Sequence, residues 1–365
     1  MVDVDRCPEC GIPVQTADSQ EWLNNGVIVH KGDPGLRIAY VECETLDPLF
    51  DGIGQLIGAP VESIIVDAER NGTREYFNPM ISPEVKDMIR SKELSLVSVI
   101  DAMTLTTRIN GCGRLELKDV SYESKDSDFV TLVSGDSYAV PLTMGDIAGG
   151  CEAVTGNEFS DYTYTKISPG TYEMTARVSG FPADLESRLE RKEHHLREGD
   201  VEFERCQTCK APLEFKNYRW DMDLGTIRSS RAGRRIAVVW PYVMDYIFQE
   251  MGKELGDIVP RIVIEAQRRF TKTGFHGVEE ITDEKRFRDR LILMGMGSLR
   301  EFKMGPKGVR LHLDNACMHL MVLGMVQGLF ELAFQKESSV HWELSKEGDL
   351  QAEVSPLFTR FLSGS

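Results

Sequence analysis

Residues 35–50 read GLRIAYVECETLDPLF, and residues 233–248 read GRRIAVVWPYVMDYIF. The likeness runs without a gap from Gly35–Phe77 onto Gly233–Phe275, with fifteen of the forty-three positions identical. Arg37/Arg235, Asp47/Asp245, Phe50/Phe248, Gly58/Gly256 and Arg70/Arg268 are among them. Upstream, Cys7-Pro-Glu-Cys10 is echoed by Cys206-Gln-Thr-Cys209. Downstream, Val130, Leu132, Gly145, Gly149, Glu152 and Ser160 fall on Val309, Leu311, Gly324, Gly328, Glu331 and Ser339 at one common offset. Repetition on this scale marks a duplicated scaffold of two homologous halves.

Within each copy the order of elements is the same. A Cys-x-x-Cys turn and a short hairpin around a tryptophan (Trp22 to Ile28, Trp220 to Ile227) look like half of a zinc ribbon. A strand follows at Arg37 or Arg235, then two helical stretches broken at Gly58 and Gly256. In the second of these, Val61, Ile64, Ile65 and Ala68 recur at helical spacing, as do Val259, Ile262, Val263 and Ala266, which gives one buried face. Further helices from about 94–110 and 283–302 stop at glycines. Alternating β sequence, a glycine-rich helix (140–154, and 316–334 in the second copy) and a closing hairpin complete each half. The fold class is therefore α+β, with helices segregated onto antiparallel sheet. The organisation expected is a Cys-x-x-Cys hairpin at 1–34, a first repeat at 35–180, a charged connecting helix at 181–201, a second hairpin at 202–232 and a second repeat at 233–365.

Composition narrows the function classes. At 365 residues the chain is long enough for two cores. No apolar run approaches the ~20 residues of a membrane span, and the start lacks the regions of a signal peptide, so a cytoplasmic location with reduced or metal-bound cysteines is expected. The net charge of −16 is lopsided: residues 1–180 carry 14 basic and 29 acidic side chains, leaving 28 and 29 for the rest. That balance disfavours a nucleic-acid binder. The basic run Arg228, Arg231, Arg234 and Arg235 reads as a solvated face, a surface docked on the acidic first half, or a pocket for negative charge.

The chemistry-bearing residues are the cysteines. A Cys-x-x-Cys turn brings two thiolates to one metal, and a structural tetrahedral site needs two more. Within each half the other cysteines (Cys43, Cys112 and Cys151; Cys317) lie at no ribbon-like spacing. The economical solution is one zinc held by Cys7, Cys10, Cys206 and Cys209 across a pseudo-twofold axis. The alternatives are knuckles completed by a second chain, or a thiol-disulfide couple. Four thiolates leave no open position for water, so such a zinc is structural. Buried free cysteines read as small hydrophobes, and no catalytic Ser-His-Asp order, phosphate loop or His-Glu-x-x-His is present.

The second half is rich in methionine. Met318, Met321 and Met325 share one helix stripe, with Met294, Phe248 and Phe330 as further candidates. Such a stripe is either core or the wall of an adaptable cavity for an apolar ligand.

Two segments, Ile57-Gly-Ala-Pro-Val-Glu-Ser-Ile-Ile-Val-Asp-Ala-Glu-Arg-Asn-Gly72 and Pro141-Leu-Thr-Met-Gly-Asp-Ile-Ala-Gly-Gly-Cys-Glu-Ala-Val-Thr-Gly156, resemble the V4R (4-vinyl reductase) domain, related to the TRAPP-subunit fold. The resemblance covers about two-thirds of each half, excludes the hairpins, and contains no catalytic residue. It implies tandem V4R/TRAPP-like repeats forming an intramolecular pseudo-dimer that binds or senses an apolar or aromatic small molecule without catalysis. The alternative it implies is an enzyme or accessory factor acting on a tetrapyrrole or aromatic substrate. The chain departs from the family in lacking the late cysteine cluster of some members. Further homo-oligomerisation stays open.

Overall fold

The computed structural model describes residues 4–123, 125, 127–180 and 196–357. Of the connecting helix expected at 181–201, residues 196–201 are described and are not helical; the rest of that expectation lies outside the described residues.

The first half runs α1 (Val14–Ser19), β1 (Gln20–Trp22), β2 (Ile28–His30), β3 (Asp33–Glu42), α2 (Leu46–Ile57), α3 (Glu62–Phe77), α4 (Pro83–Arg90), α5 (Leu96–Ile109), β4 (Arg114–Ser121), β5 (Phe129–Gly135), α6 (Val140–Thr155), β6 (Asp161–Ser168) and β7 (Thr171–Arg177). The second runs β8 (Tyr218–Asp221), β9 (Thr226–Ser229), β10 (Arg235–Val239), α7 (Pro241–Leu255), α8 (Val259–Phe270), α9 (Glu279–Thr282), α10 (Glu284–Leu293), β11 (Ser298–Gly305), β12 (Gly308–Asp314), α11 (His319–Phe334), β13 (Ser338–Leu344) and β14 (Leu350–Pro356). The fold is α+β with three antiparallel sheets, two of which repeat one another: β4-β5-β7-β6 in the first half and β11-β12-β14-β13 in the second. Helix α11 starts at His319 rather than 316, because Asn315 and Met318 both adopt positive φ and hold the chain in a turn.

The third sheet joins the halves in the order β1-β2-β3-β10-β9-β8. At its centre β3 and β10 pair antiparallel, with Ala39 opposite Val239, Tyr40 opposite Val238 and Val41 opposite Ala237. Tyr40 thus faces its own counterpart in the 198-residue offset of the repeat, and the pseudo-twofold passes between them. Period-two alternation divides the strands between two cores. Ala39, Val41, Ala237 and Val239 point to a helical layer with Leu49, Phe50, Ile247, Phe248 and Val263. Ile38, Tyr40, Ile236 and Val238 point to the cysteine turns and the aromatic side chains Trp22, Phe215 and Trp220.

The halves are exchanged as well as paired. Helix α2 packs on α8 of the other half, and α7 on α3. The Trp22 indole donates to the Leu293 carbonyl at 3.3 Å, and Trp220 donates to Ile109 at 3.1 Å. Each hairpin is thereby anchored on the opposite half. Arg37 reaches the carbonyl of Gly295 at 3.0 Å and that of Asn315, while Arg235 reaches the carbonyl of Asp136. Arg234 forms ion pairs with Glu42 of the first half and Glu280 of the second, with Arg290 closing the same cluster. The basic run of the second half is, at Arg234 and Arg235, a docking surface for the first.

Inside each half the two long helices nearly touch. A methyl group at Gly145 would sit 2.5 Å from the Cβ of Glu69, and one at Gly324 would sit 2.5 Å from the Ile264 carbonyl oxygen. These glycines bring α6 against α3 and α11 against α8, which sets what lies between them.

Candidate functional site

Two kinds of site emerge. At the outer face of the central sheet, the Cys7–Cys10 turn meets the Cys206–Cys209 turn. The turns are built alike: the Cys7 amide donates to Ile12 and that of Gly11 back to Cys7, as Cys206 donates to Ala211 and Lys210 back to Cys206. Gly11 and Lys210 carry the positive φ each turn requires. The four sulfurs lie within 4.8 Å of one another, with Cys7 to Cys206 and Cys10 to Cys209 both 3.5 Å apart. A zinc with bonds of ~2.3 Å to four thiolates separates them by about 3.8 Å, whereas a disulfide needs ~2.05 Å. The spacing is compatible with a metal tetrahedron and too long for a disulfide, and all four are free thiols. Glu9 ties the turns together by accepting from the amides of Gln207 and Thr208 at 3.1 and 3.0 Å.

Burial pushes the Cys7 thiol up, but the amides of Cys10 and Glu9 and the thiol of Cys206 outweigh it and bring Cys7 down to about 7. Burial raises Cys10 and Cys209. A cluster in which Cys10 and Cys209 resist ionisation, and in which three of the four thiols are buried, is compatible with a cation such as zinc, which supplies the charge that makes four thiolates tolerable.

The second kind of site is a pair of cavities, one per half, each walled partly by the other half's central strand. In the second half, Met294, Met318, Met321 and Met325 converge on a cavity of about 60 Å³, with Met296, Gln267 and His276 and with Tyr40, Val41 and Glu42 of β3. Of the residues nominated from sequence, Phe248 and Phe330 do not line it. They lie in the helical core at 7% and 0% exposure. The stripe at 318, 321 and 325 faces β3, while Phe330 packs on Phe334.

The first half holds the pseudo-symmetric cavity, of about 40 Å³, lined by Glu69, Thr73, Tyr76, Cys112, Tyr138 and Asp146, with Val238 and Val239 of β10 and Trp240 just after it. It adjoins an apolar chamber of about 60 Å³ between α5, α6 and β5, sharing Thr73, Phe77, Thr107 and Asp146 with it. The repeat offsets match the two sites residue by residue: Glu69 stands where the second half has Gln267, and Asp146 where it has Met325. Trp240 takes the place of Glu42, and Leu142 that of Met321.

The first cavity therefore contains a carboxyl pair absent from its twin. Thr73 Oγ1 lies 2.9 Å from Asp146 Oδ1 and 3.3 Å from Glu69 Oε1, and the Tyr138 hydroxyl donates to Asp146 Oδ2 at 3.0 Å. Burial, and then the neighbouring Asp146, hold Glu69 well above the usual carboxylate range. Burial raises Asp146 to about 6 against the lowering effect of its Thr73 and Tyr138 donors. Burial also pushes Cys112 and Tyr138 up, with Asp146 adding to both. Cys112 thus faces the cavity as a neutral thiol. The same fold closes in the other half with Gln267 and Met325, so the acids are not needed to close it, and buried, shifted carboxyls in a cavity make this a candidate functional site. In the sequence Glu69 and Asp146 read as ordinary charged helix positions; the signal that finds them is that these two positions of an otherwise parallel repeat change from charged to neutral.

Among the described residues no helix is long and apolar enough to cross a membrane. No protein-family model matches the chain, and no curated protein matches it. Solved structures do: a Cs H-NOX mutant carrying 4-cyano-L-phenylalanine (19% identity, 33% of this chain and 77% of that one, TM-score 0.24), a mutant of T. Tengcongensis H-NOX (18%, 33% and 77%, TM-score 0.24), and an oxygen-binding H-NOX domain related to soluble guanylate cyclases (17%, 34% and 75%, TM-score 0.22). This likeness to α+β domains covers a third of the chain, and at such scores it assigns no ligand and no residue role here.

Proposed function

We propose that the chain is a zinc-stapled, V4R-like small-molecule-binding protein, with the zinc structural and the ligand sites in the two cavities beneath the central sheet. The observation that carries this reading is the Glu69–Asp146 carboxyl pair, kept in a cavity whose twin closes without it. Two buried carboxyls are costly to ionise together, and a ligand that offers a donor or a positive nitrogen to them relieves that cost. Tyr76 and Trp240, whose ring centroids are 4.6 Å apart, supply an aromatic wall beside them. The adjoining apolar chamber suits the remainder of an apolar or aromatic molecule.

Intrinsic fluorescence tests this. Trp240 lines the first cavity, so a series of small aromatic amines and alcohols is titrated into the natural protein and into Trp240→Phe. A saturable change present in the former and absent in the latter is expected. If no member of the series gives one, the first cavity is not a ligand site.

A second reading, an enzyme or accessory factor acting on an aromatic substrate, is favoured by one feature, the carboxyl near 6 beside Tyr138 and Cys112, which is suited to general acid–base work. Volume weighs against a tetrapyrrole substrate: about 40 and 60 Å³ fall far below the ~300–1,000 Å³ of ordinary ligand pockets.

A further inference from the structure

We propose that the second-half cavity is a distinct site for a small neutral apolar molecule carrying a single hydrogen-bond donor, a short alcohol or a phenol. This rests on the reading of the chain as a small-molecule binder and adds the ligand class of its second site.

The argument turns on Gln267. It lines the methionine cavity and is 2% exposed. Its Nε2 donates to Thr271 Oγ1 at 3.5 Å, and the Thr271 hydroxyl spends its own hydrogen on the Gln267 backbone carbonyl at 2.9 Å. Thr271 is therefore an acceptor for the side chain, which fixes the amide with Nε2 toward it. That leaves Oε1 as a buried acceptor with no partner. A buried polar atom in that state costs about 1–3 kcal/mol. The five methionines Met294, Met296, Met318, Met321 and Met325 offer it only thioethers and methyl groups, and none of the polar lining groups, Thr45, His276 and Arg290 among them, bonds to it.

The charged groups at the cavity edge are already matched. Glu42 is held by Arg234 at 3.1 Å and by Arg290 at 2.8 Å, and both arginines also pair with Glu280. Neither sign of charge is left over to receive an ion. The cavity therefore asks for an uncharged body and one donor. Its ~60 Å³ is about two water volumes, and unbranched methionine side chains have the rotatable bonds to make room for a ring. The twin differs where it matters: Glu69 and Asp146 in place of Gln267 and Met325 give the first cavity a preference for donors of positive charge.

The test uses the full-length protein labelled at its methionine methyl groups, of which the chain has 15. Met318, Met321 and Met325 report the second cavity and Met244 the first. The probes are phenol, toluene and benzylamine. Phenol is expected to shift the second-cavity methyls saturably, with an affinity about three- to tenfold above that of toluene, the yield of one neutral hydrogen bond. Benzylamine leaves them in place. In Gln267→Leu the ratio of phenol to toluene affinity falls to about one. Equal binding of phenol and toluene by the natural protein overturns the proposal, as does a preference that survives in Gln267→Leu. The first comparison needs no variant and decides the matter even where the substitution disturbs folding. If no probe moves any methyl at either cavity, the broader small-molecule reading fails too. Equal phenol and toluene binding removes only this inference.

Discussion

Replacing Asp146 by asparagine isolates the energy stored in the first cavity. The folded protein raises the Asp146 carboxyl from 3.8 to about 6, so the folded state holds the proton more tightly than the unfolded chain. The sign follows from linkage: this contribution is fully present below pH ~4 and is lost as pH rises through about 6. A rise of about two units at ~1.36 kcal/mol each comes to about 3 kcal/mol. Asp146→Asn carries no such dependence, and its amide still accepts from Thr73 while the Tyr138 hydroxyl can rotate to accept from it. Relative to the natural protein the variant should therefore gain about 3 kcal/mol between pH 4 and pH 7. With an unfolding entropy of ~2.1 cal/mol/K per residue over 365 residues, that widens the gap in melting temperature by about 4 °C. Glu69 acts in the same direction, since losing the charge of Asp146 also lowers the Glu69 carboxyl. Differential scanning calorimetry of both proteins from pH 4 to 8 measures the gap. A gap that stays constant across that range refutes the claim that the pair is buried, coupled and costly.

Native mass spectrometry should find one zinc per chain, and Cys7→Ser with Cys206→Ser should abolish it. Chelation should lower the melting temperature yet leave the radius of gyration unchanged, because the β3–β10 ladder and the exchanged Trp22 and Trp220 anchors do not involve the metal; separation of the halves would contradict that. Arg234→Ala leaves Glu42 and Glu280 with Arg290 as their remaining arginine and should cost about 1–3 kcal/mol in denaturant unfolding, a loss under ~0.5 kcal/mol showing that the cluster is better solvated than its burial indicates. Gly324→Ala should destabilise by about 1–3 kcal/mol through its collision with Ile264, while Gly252→Ala, with open space around it on α7, should be neutral or stabilising by up to ~1 kcal/mol. Equal effects of the two would overturn the account of close helix approach.

The sequence was legible where physics is local or where the repeat supplied its own control. Glycine stops placed α2 and α3 correctly, since Gly58 ends α2 in the left-handed conformation. The spacing of Cys7, Cys10, Cys206 and Cys209 was enough to expect one cluster, and the structure brings them together. The methionine stripe was legible in part: Met321 and Met325 share a face of α11, and Met318 joins them from the turn before it. Phe248 and Phe330 were grouped with it by composition alone, and composition carries no direction. The exchange of the hairpins was not legible, because Trp22 and Leu293 lie 271 residues apart and nothing in either segment names the other. The carboxyl pair escaped for a related reason. Glu69 and Asp146 sit on separate helices that Gly145 brings together, and each alone reads as one more charge in an acidic half.

Strands β3 and β10 each wall the cavity of the opposite half while pairing with one another at the axis. A molecule seated under β10 would press on the strand whose directly paired neighbour, β3, covers the other chamber. By thermodynamic reciprocity, whatever factor the first occupant applies to the affinity of the second, the second returns in full. On the proposed reading, in which the chambers take unlike ligands, such an exchange would let occupancy report two concentrations jointly, which a pair of identical halves reading one compound has no means to do.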